Sequence, residues 1–273
     1  MSVRVPATSA NMGPGFDALG AALSMHCEVG VIGDGATPDG AQEANDTHPA
    51  QVAFVRAGGA GRVWVRNHVP MGRGMGFSGA ARIGGALAAE RQREGRFVPR
   101  SASALALCTE LEGHADNVAP ALHGGVVVAS EGQVVRIPVV IDAAWVMWVP
   151  ESTTSTSESR RKIGASVPLV DAVFNIARTA MLVAALAGGD TTGLREATRD
   201  RIHQDIRFAA SPASSAALEA GLAAGAWCGW LSGSGPTVAL LCEPADAARL
   251  AESLPTGGRS LVLSLDHAGA VEV

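Results

Sequence analysis

Between Val63 to Val69, a run of β-branched and aromatic residues, and a stretch of helix formers from Ala80 to Glu94 lies the segment MGRGMGFSG, residues 71–79. In a strand, glycine turn and helix arranged in that order, successive backbone N–H groups can converge on an anion, and the helix N-terminus adds partial positive charge. Glycine suits such a turn because the main chain must approach phosphate oxygens closely, in conformations that a Cβ forbids. Gly72, Arg73, Gly74, Met75, Gly76, Phe77, Ser78 and Gly79 are therefore candidate phosphate-binding positions, with Arg73 adding charge. Gly74 to Gly79 formally matches G-x-G-x-x-G. However, Pro70 and three further residues separate the strand from Gly74, and charged coil and another helix follow in place of a second strand. A Walker A loop is excluded because no Gly-Lys-Ser/Thr occurs. Taken alone, the segment fits a purely structural turn equally well.

The elements around the turn follow from periodicity and breakers. The preceding strand stops at Pro70, and Ile83, Ala86 and Leu87 share one face of the helix behind the turn. A second helix fits Ala102 to Glu112. Residues 1–5 alternate as a short strand leading into ATSANMGPGFDALG, a loop with three glycines and a proline, and residues 36–50 are polar and loop-like. GGVVVASEGQVVRIPVV reads as a hairpin turning at Glu131–Gly132, and Ala144 to Val149 as another strand. Pro150 and the ESTTSTSES run after it are either a linker or a ligand loop, and they mark the expected domain boundary. Further on, an amphipathic helix is expected from Asp171 to Leu186, stopped by Gly188–Gly189. A charged helix (Leu194 to His203) and an alanine-rich one (Ser215 to Ala223) follow. Two strands then flank SGSG, a helix begins after Pro244, and SLVLSL forms a last strand.

The chain has 273 residues, of which 47% are hydrophobic and 17% charged, enough for a large core in one or two domains. The net charge of −5 and the lack of any basic run argue against nucleic acid or a membrane surface as partner. Lys162 is the only lysine, and there is no tyrosine. Cys27, Cys108, Cys228 and Cys242 are widely spaced and read as free buried thiols. The N-terminal segment lacks the pattern of a signal peptide, and no uninterrupted apolar run reaches the ~18 residues of a membrane span. A cytoplasmic location is the resulting expectation.

Beyond the glycine turn, several stretches occur in the order and roughly the spacing of one family. The segment Pro70 to Ala81 resembles the second motif of the GHMP kinases, P-x-x-x-G-L-G-S-S-A, and Leu231-Ser-Gly-Ser-Gly-Pro-Thr237 the third. VRVPATSANMGPGFDALG (3–20), EGHADNVAPAL (112–122), STSESR (155–160) and DAVFN (171–175) resemble signatures of the homoserine kinases within that superfamily. The resemblance covers nearly the whole chain. It implies an α+β fold of two domains, a nucleotide-binding N-terminal one with a left-handed βαβ unit (1–143) and a ferredoxin-like C-terminal one (144–273), with the site between them. It also implies ATP and Mg²⁺, the ion held by Ser78 and Glu112. An amino-acid substrate would lie among Asn11, Asp17, His114, Asp116 and Asn117, its carboxylate clamped by Arg160 and Arg207. Asp116, Asn117 and Arg207 are the candidate catalytic residues. Family members are often dimers, so a homodimer is expected.

Departures from the family pattern include three positions near the candidate site. Phe77 stands where serine is usual, Gly79 where alanine is usual, and Ala115 where proline is usual. The Phe77 ring either turns into the core and spares the cradle or points into the pocket and obstructs the phosphates. The implied activity is phosphorylation of the side-chain hydroxyl of L-homoserine to O-phospho-L-homoserine, a step of threonine biosynthesis. The alternatives are another small hydroxylated amino acid such as L-threonine, or a catalytically weak homologue that only binds ligand.

Overall fold

The computed structural model describes residues 1–154 and 156–273; Ser155, which opens the STSESR stretch, lies outside the described residues. The strands are β1 (Ser2–Ala10), β2 (Leu19–Val31), β3 (Gln42–Glu43), β4 (Val63–Asn67), β5 (Val126–Ser130), β6 (Gln133–Ile137), β7 (Ala144–Pro150), β8 (Cys228–Leu231), β9 (Val238–Cys242), β10 (Gly258–Leu263) and β11 (Val271–Glu272). The helices are α1 (Pro49–Arg56), α2 (Phe77–Glu94), α3 (Ala102–Glu112), α4 (Val118–His123), α5 (Thr156–Arg161), α6 (Leu169–Gly188), α7 (Leu194–Ala197), α8 (Gln204–Ala209), α9 (Pro212–Ala223) and α10 (Ala247–Glu252).

The spine of the first sheet is β2. One edge pairs along its length with β1 (Val3 opposite Val29, Ser9 opposite Ala21). The other edge carries β4 at one end (Val65 opposite Val29) and β5 at the other (Val126 opposite Ala21). β2 is absent from the sequence reading because LGAALSMHCEVGV is poor in β-branched residues and does not alternate. It is buried almost throughout, so it carries no polar face to betray its period. β1 extends to Ala10, well past the expected end, because β2 pairs with it along that length.

The second sheet has the order β10-β7-β9-β8, with every pairing antiparallel. With α5 to α9 between β7 and β8, and α10 between β9 and β10, this is the ferredoxin-like arrangement. The alternation of β7 divides two cores. Trp145 and Met147 face the main cluster, where Trp145 meets Trp230 edge-on at 5.6 Å, whereas Val146 and Trp148 face a second cluster with Leu240 and Leu250. All four cysteines are free and buried; burial pushes Cys27, Cys108 and Cys228 up to about 12.

Some expected boundaries move. The helix expected over Leu194 to His203 ends at Ala197, and Asp200 then accepts from the backbone N–H of Ile202, His203 and Gln204 at 3.2, 2.8 and 2.7 Å. That carboxylate ties down the unsatisfied donors at the start of α8, so the chain breaks where periodicity would continue. Within the stretch expected to be loop, His48 caps α1 and Pro49 occupies its first turn. The stretch after Pro150 contains α5. Helix α6 is long and apolar enough to cross a membrane by length and mean hydropathy, although Asp171, Asn175 and Arg178 interrupt its apolar run. Its inward face carries Asn175 and Thr179, both hydrogen-bonded to Pro14 O, while Val170, Val173 and Ile176 are exposed.

Candidate active site

The glycine turn is held from two sides. Gly74 and Gly76 have φ of 74° and 68°. A Cβ on Gly74 would lie 2.2 Å from Ser232 O, and one on Gly76 1.8 Å from Thr8 Oγ1. No other residue fits there without displacing β1 or the 231–237 turn. Ser232 Oγ donates to Gly74 O at 2.6 Å, and Thr8 N donates to Met75 O at 3.1 Å. The SGSG turn thus buttresses the glycine turn. α2 begins at Phe77, three residues before its apolar periodicity starts, and Gly76 at its boundary has no side chain to cap it. The first-turn N–H groups lack partners within the helix, and Gly76 to Gly79 border a cavity of about 130 Å³.

Phe77 borders this cavity, but its ring meets His48 edge-on at 5.7 Å and packs against the main core. The cradle survives the departure from serine. Gly79 also has a local reason: a Cβ there would stand 3.3 Å from Asn117 Cβ. Arg73 is a correction. Its guanidinium donates to three carbonyls, Pro150 O (2.9 Å), Met71 O (3.0 Å) and Glu151 O (2.6 Å), and does not line the cavity. It fastens the glycine turn to the end of β7; three carbonyl partners hold its charge there.

Ser78 and Glu112 do meet. Ser78 Oγ donates to Glu112 Oε1 at 2.5 Å, and both line the cavity. A hydroxyl and a carboxylate are hard oxygen donors of the kind Mg²⁺ accepts alongside waters and phosphates, so this pair fits the ion that the resemblance implies. Behind the pair stands Arg82, to which the sequence reading assigns nothing. Its Nη1 donates to Ser78 Oγ and is ion-paired with Glu112 Oε1.

The other end of the cavity gathers side chains from four segments. Asn11 and Asp17 take positive φ (67° and 57°), which short polar side chains tolerate better than most. Asn11 Nδ2 donates to Gly233 O at 2.9 Å, and Asp17 N donates to Asn11 Oδ1 at 3.0 Å. His114 Nδ1 and Asp116 Oδ1 are 2.5 Å apart. Burial opposes the imidazolium, but the hydrogen bond and charge of Asp116, with the charge of Asp17, outweigh it and raise the His114 pKa. Asn117 Oδ1 accepts from Thr8 Oγ1 at 2.7 Å, which orients its amide.

The two arginines differ. Arg160 is committed to Asp17 by a double hydrogen bond, Nη1 to Oδ2 at 2.7 Å and Nη2 to Oδ1 at 2.6 Å, so the expected carboxylate clamp is occupied by a partner of its own chain. Arg207 is buried; Nη1 donates to Gly233 O at 2.9 Å and to His203 Nδ1 at 3.1 Å, and Nε has no partner. His203 Nδ1 accepts from a guanidinium, so its proton sits on Nε2, which donates to Gly13 O at 2.8 Å. Burial lowers the His203 pKa, in keeping with a neutral ring. Phe16 lies 5.4 Å from both Arg160 and Arg207, and 5.1 Å from the His203 ring. Sequence reasoning missed Phe16, His203 and Arg82. The only signals were the place of Phe16 within the GPGFD loop and the four-residue spacing of His203 from Arg207 and of Arg82 from Ser78.

Residues 46–125 match the model of the GHMP kinases N terminal domain, and residues 182–260 that of GHMP kinases C terminal. The chain is 38% identical to the homoserine kinase of Thermus thermophilus over 96% of its own length and 94% of that protein's. It is 37% identical to that of Leifsonia xyli subsp. xyli over 99% and 91%. A crystal structure of homoserine kinase from Cytophaga hutchinsonii superposes with a TM-score of 0.84 at 25% identity, covering 99% of this chain and 96% of that one. A mevalonate kinase at 11% identity and a TM-score of 0.72 shares the fold. Identity at this level over nearly the full length, with both halves of the two-domain α+β architecture matched, shows that the chain belongs to the homoserine kinase family of the GHMP kinases.

Proposed function

We propose that the chain transfers the terminal phosphoryl group of ATP to the side-chain hydroxyl of L-homoserine, giving O-phospho-L-homoserine for threonine biosynthesis. The observation that carries this is one cavity that joins a main-chain anion cradle at Gly74 to Gly79 with an amino-acid-like pattern of charge at Asp17, His114, Asp116 and Arg207. Phosphoryl transfer asks mainly for positioning and charge stabilisation, and both ends supply these. Arg207 lines the cavity beside Asn11 and Asp17, and a guanidinium there suits the substrate carboxylate. Asp17, His114 and Asp116 bring ligand atoms within 4.8 Å of one another, a setting for the substrate ammonium beside the two carboxylates. Asp116 Oδ1 is already engaged by the His114 imidazole, so the reading asks it to orient the hydroxyl and not to abstract its proton. In a loose transition state the hydroxyl loses its proton late, so orientation by Asp116 and Asn117 suffices. A Mg²⁺ ion at Ser78 and Glu112 would supply charge neutralisation to the phosphates.

The reading includes the division into domains 1–143 and 144–273, a cytoplasmic location, a homodimer, and neither nucleic acid nor membrane as partner. Sedimentation of the purified chain alone, with vesicles and with nucleic acid tests the homodimer and the two absent partners; fractionation of cells tests the location. For the reaction, ADP release is followed with Mg²⁺-ATP against L-homoserine, L-threonine, L-serine and no acceptor. Turnover selective for L-homoserine is expected; equal turnover without acceptor would refute the assignment.

A further inference from the structure

Arg82 lies four residues after Ser78 on α2, and helix geometry sets its side chain back toward the N-terminus, onto the same face. Its guanidinium meets the two groups that face the cavity from α2 and α3, the Ser78 hydroxyl and the Glu112 carboxylate. With the Ser78-to-Glu112 hydrogen bond at 2.5 Å, the three side chains close a triangle. Arg82 does not line the cavity, while Ser78 and Glu112 do, so the guanidinium approaches the pair from the protein side. The Arg82 and Glu112 side chains are 19% and 13% exposed, and Arg82 Nε is buried without a partner. A guanidinium held in this setting stays charged. It cancels the one negative charge that the pair would offer to a cation, at a depth where screening by water and salt is weak.

We propose that Arg82 is a positioning residue for the divalent ion. It aims Ser78 and Glu112 at the cavity while neutralising them, so the pair has little affinity for a free ion and takes one only together with the phosphates of the nucleotide. This rests on the reading of Ser78 and Glu112 as metal-facing. A carboxylate without Arg82 would attract a dication by Coulomb force alone. With Arg82 in place the phosphates must bring the missing negative charge, which makes nucleotide and metal entry one event.

Mn²⁺ alone is titrated into the intact, nucleotide-free chain, and free Mn²⁺ is read from its EPR signal. The wild type is expected to bind weakly. Arg82→Met, which removes both charge and hydrogen bonds, and Arg82→Gln, which keeps a donor and removes the charge, are expected to bind at least tenfold more tightly. Arg82→Lys, which keeps the charge, is expected to stay near the wild type. The double variant Arg82→Met with Glu112→Gln is expected to lose the gain. A structural role alone would lower the melting temperature and leave Mn²⁺ affinity where it was. Should Arg82→Met misfold, Arg82→Gln decides alone. Unchanged or weaker Mn²⁺ binding in the folded neutral variants overturns the proposal. If Glu112→Gln is also impaired in binding Mn²⁺ with a non-hydrolysable ATP analogue, the metal-facing reading survives that loss. A gain that persists in the double variant overturns both, since the ion would then bind elsewhere.

Discussion

The two ends of the cavity are built from different material. The end proposed for the phosphates is mostly main chain: Gly74, Gly76 and the opening turn of α2, pressed between β1 and the 231–237 turn. The end proposed for the amino acid is side chain: Asn11 and Asp17 from one loop, His114 and Asp116 from another, Arg160 from α5 and Arg207 from α8. A main-chain cradle tolerates Phe77 because the ring can turn to His48 without moving the N–H groups. A side-chain cluster has no such slack. Each of its members is held by another, as Arg160 holds Asp17 and His203 holds Arg207.

That contrast can be broken by substitution, beginning where the largest loss is expected. Glu112→Gln removes the carboxylate that meets Ser78 at the end proposed for the phosphates and should lower kcat by about three orders of magnitude with the fold retained by circular dichroism. A near-normal kcat would remove Glu112 from the site. Arg207→Ala should raise KM for the amino acid roughly 10- to 100-fold and KM for ATP far less, because a desolvated guanidinium is lost from one end only. Equal changes in both would erase the distinction between the ends. Phe77→Ser should change kcat/KM less than about threefold, with roughly 1 kcal/mol lost from its aromatic contact. A large gain in activity would show that the ring does obstruct the phosphates.

The smallest expected effect is one of pH. The raised His114 pKa means that pairing with Asp116 stabilises the fold fully below the ordinary imidazole value of about 6.5 and fades as pH rises through the raised value. The melting temperature of wild type minus that of His114→Gln should therefore shrink toward alkaline pH. A difference that stays constant from pH 5 to 9 would mean that the native structure leaves the His114 pKa unshifted.

Much of the phosphate end was legible because its requirements are local: a positive φ needs glycine, and a helix must start after the turn. Arg73 shows the limit of that reading. Its place in the glycine run suggested a phosphate contact, yet the nearby carbonyls of Pro150 and Glu151 claim its guanidinium. β2 was invisible for a related reason, since a strand buried on both faces shows no alternation, and its pairing with β1, β4 and β5 is a property of the assembled sheet.

By itself the sequence determined the glycine turns, the order of the family motifs, the break after Gly188 and the hairpin at Glu131–Gly132, because each depends on neighbours in the chain. Tertiary structure alone decided which way Phe77 turns, that Arg160 is spent on Asp17, that Arg207 keeps an unpartnered donor, and that Arg82 backs the Ser78–Glu112 pair. Those outcomes rest on contacts between groups 29 to 143 residues apart in sequence, or on where a buried charge meets or lacks a partner. No local pattern encodes them, because the energy of a charge or an orphaned donor depends on what the folded chain brings beside it.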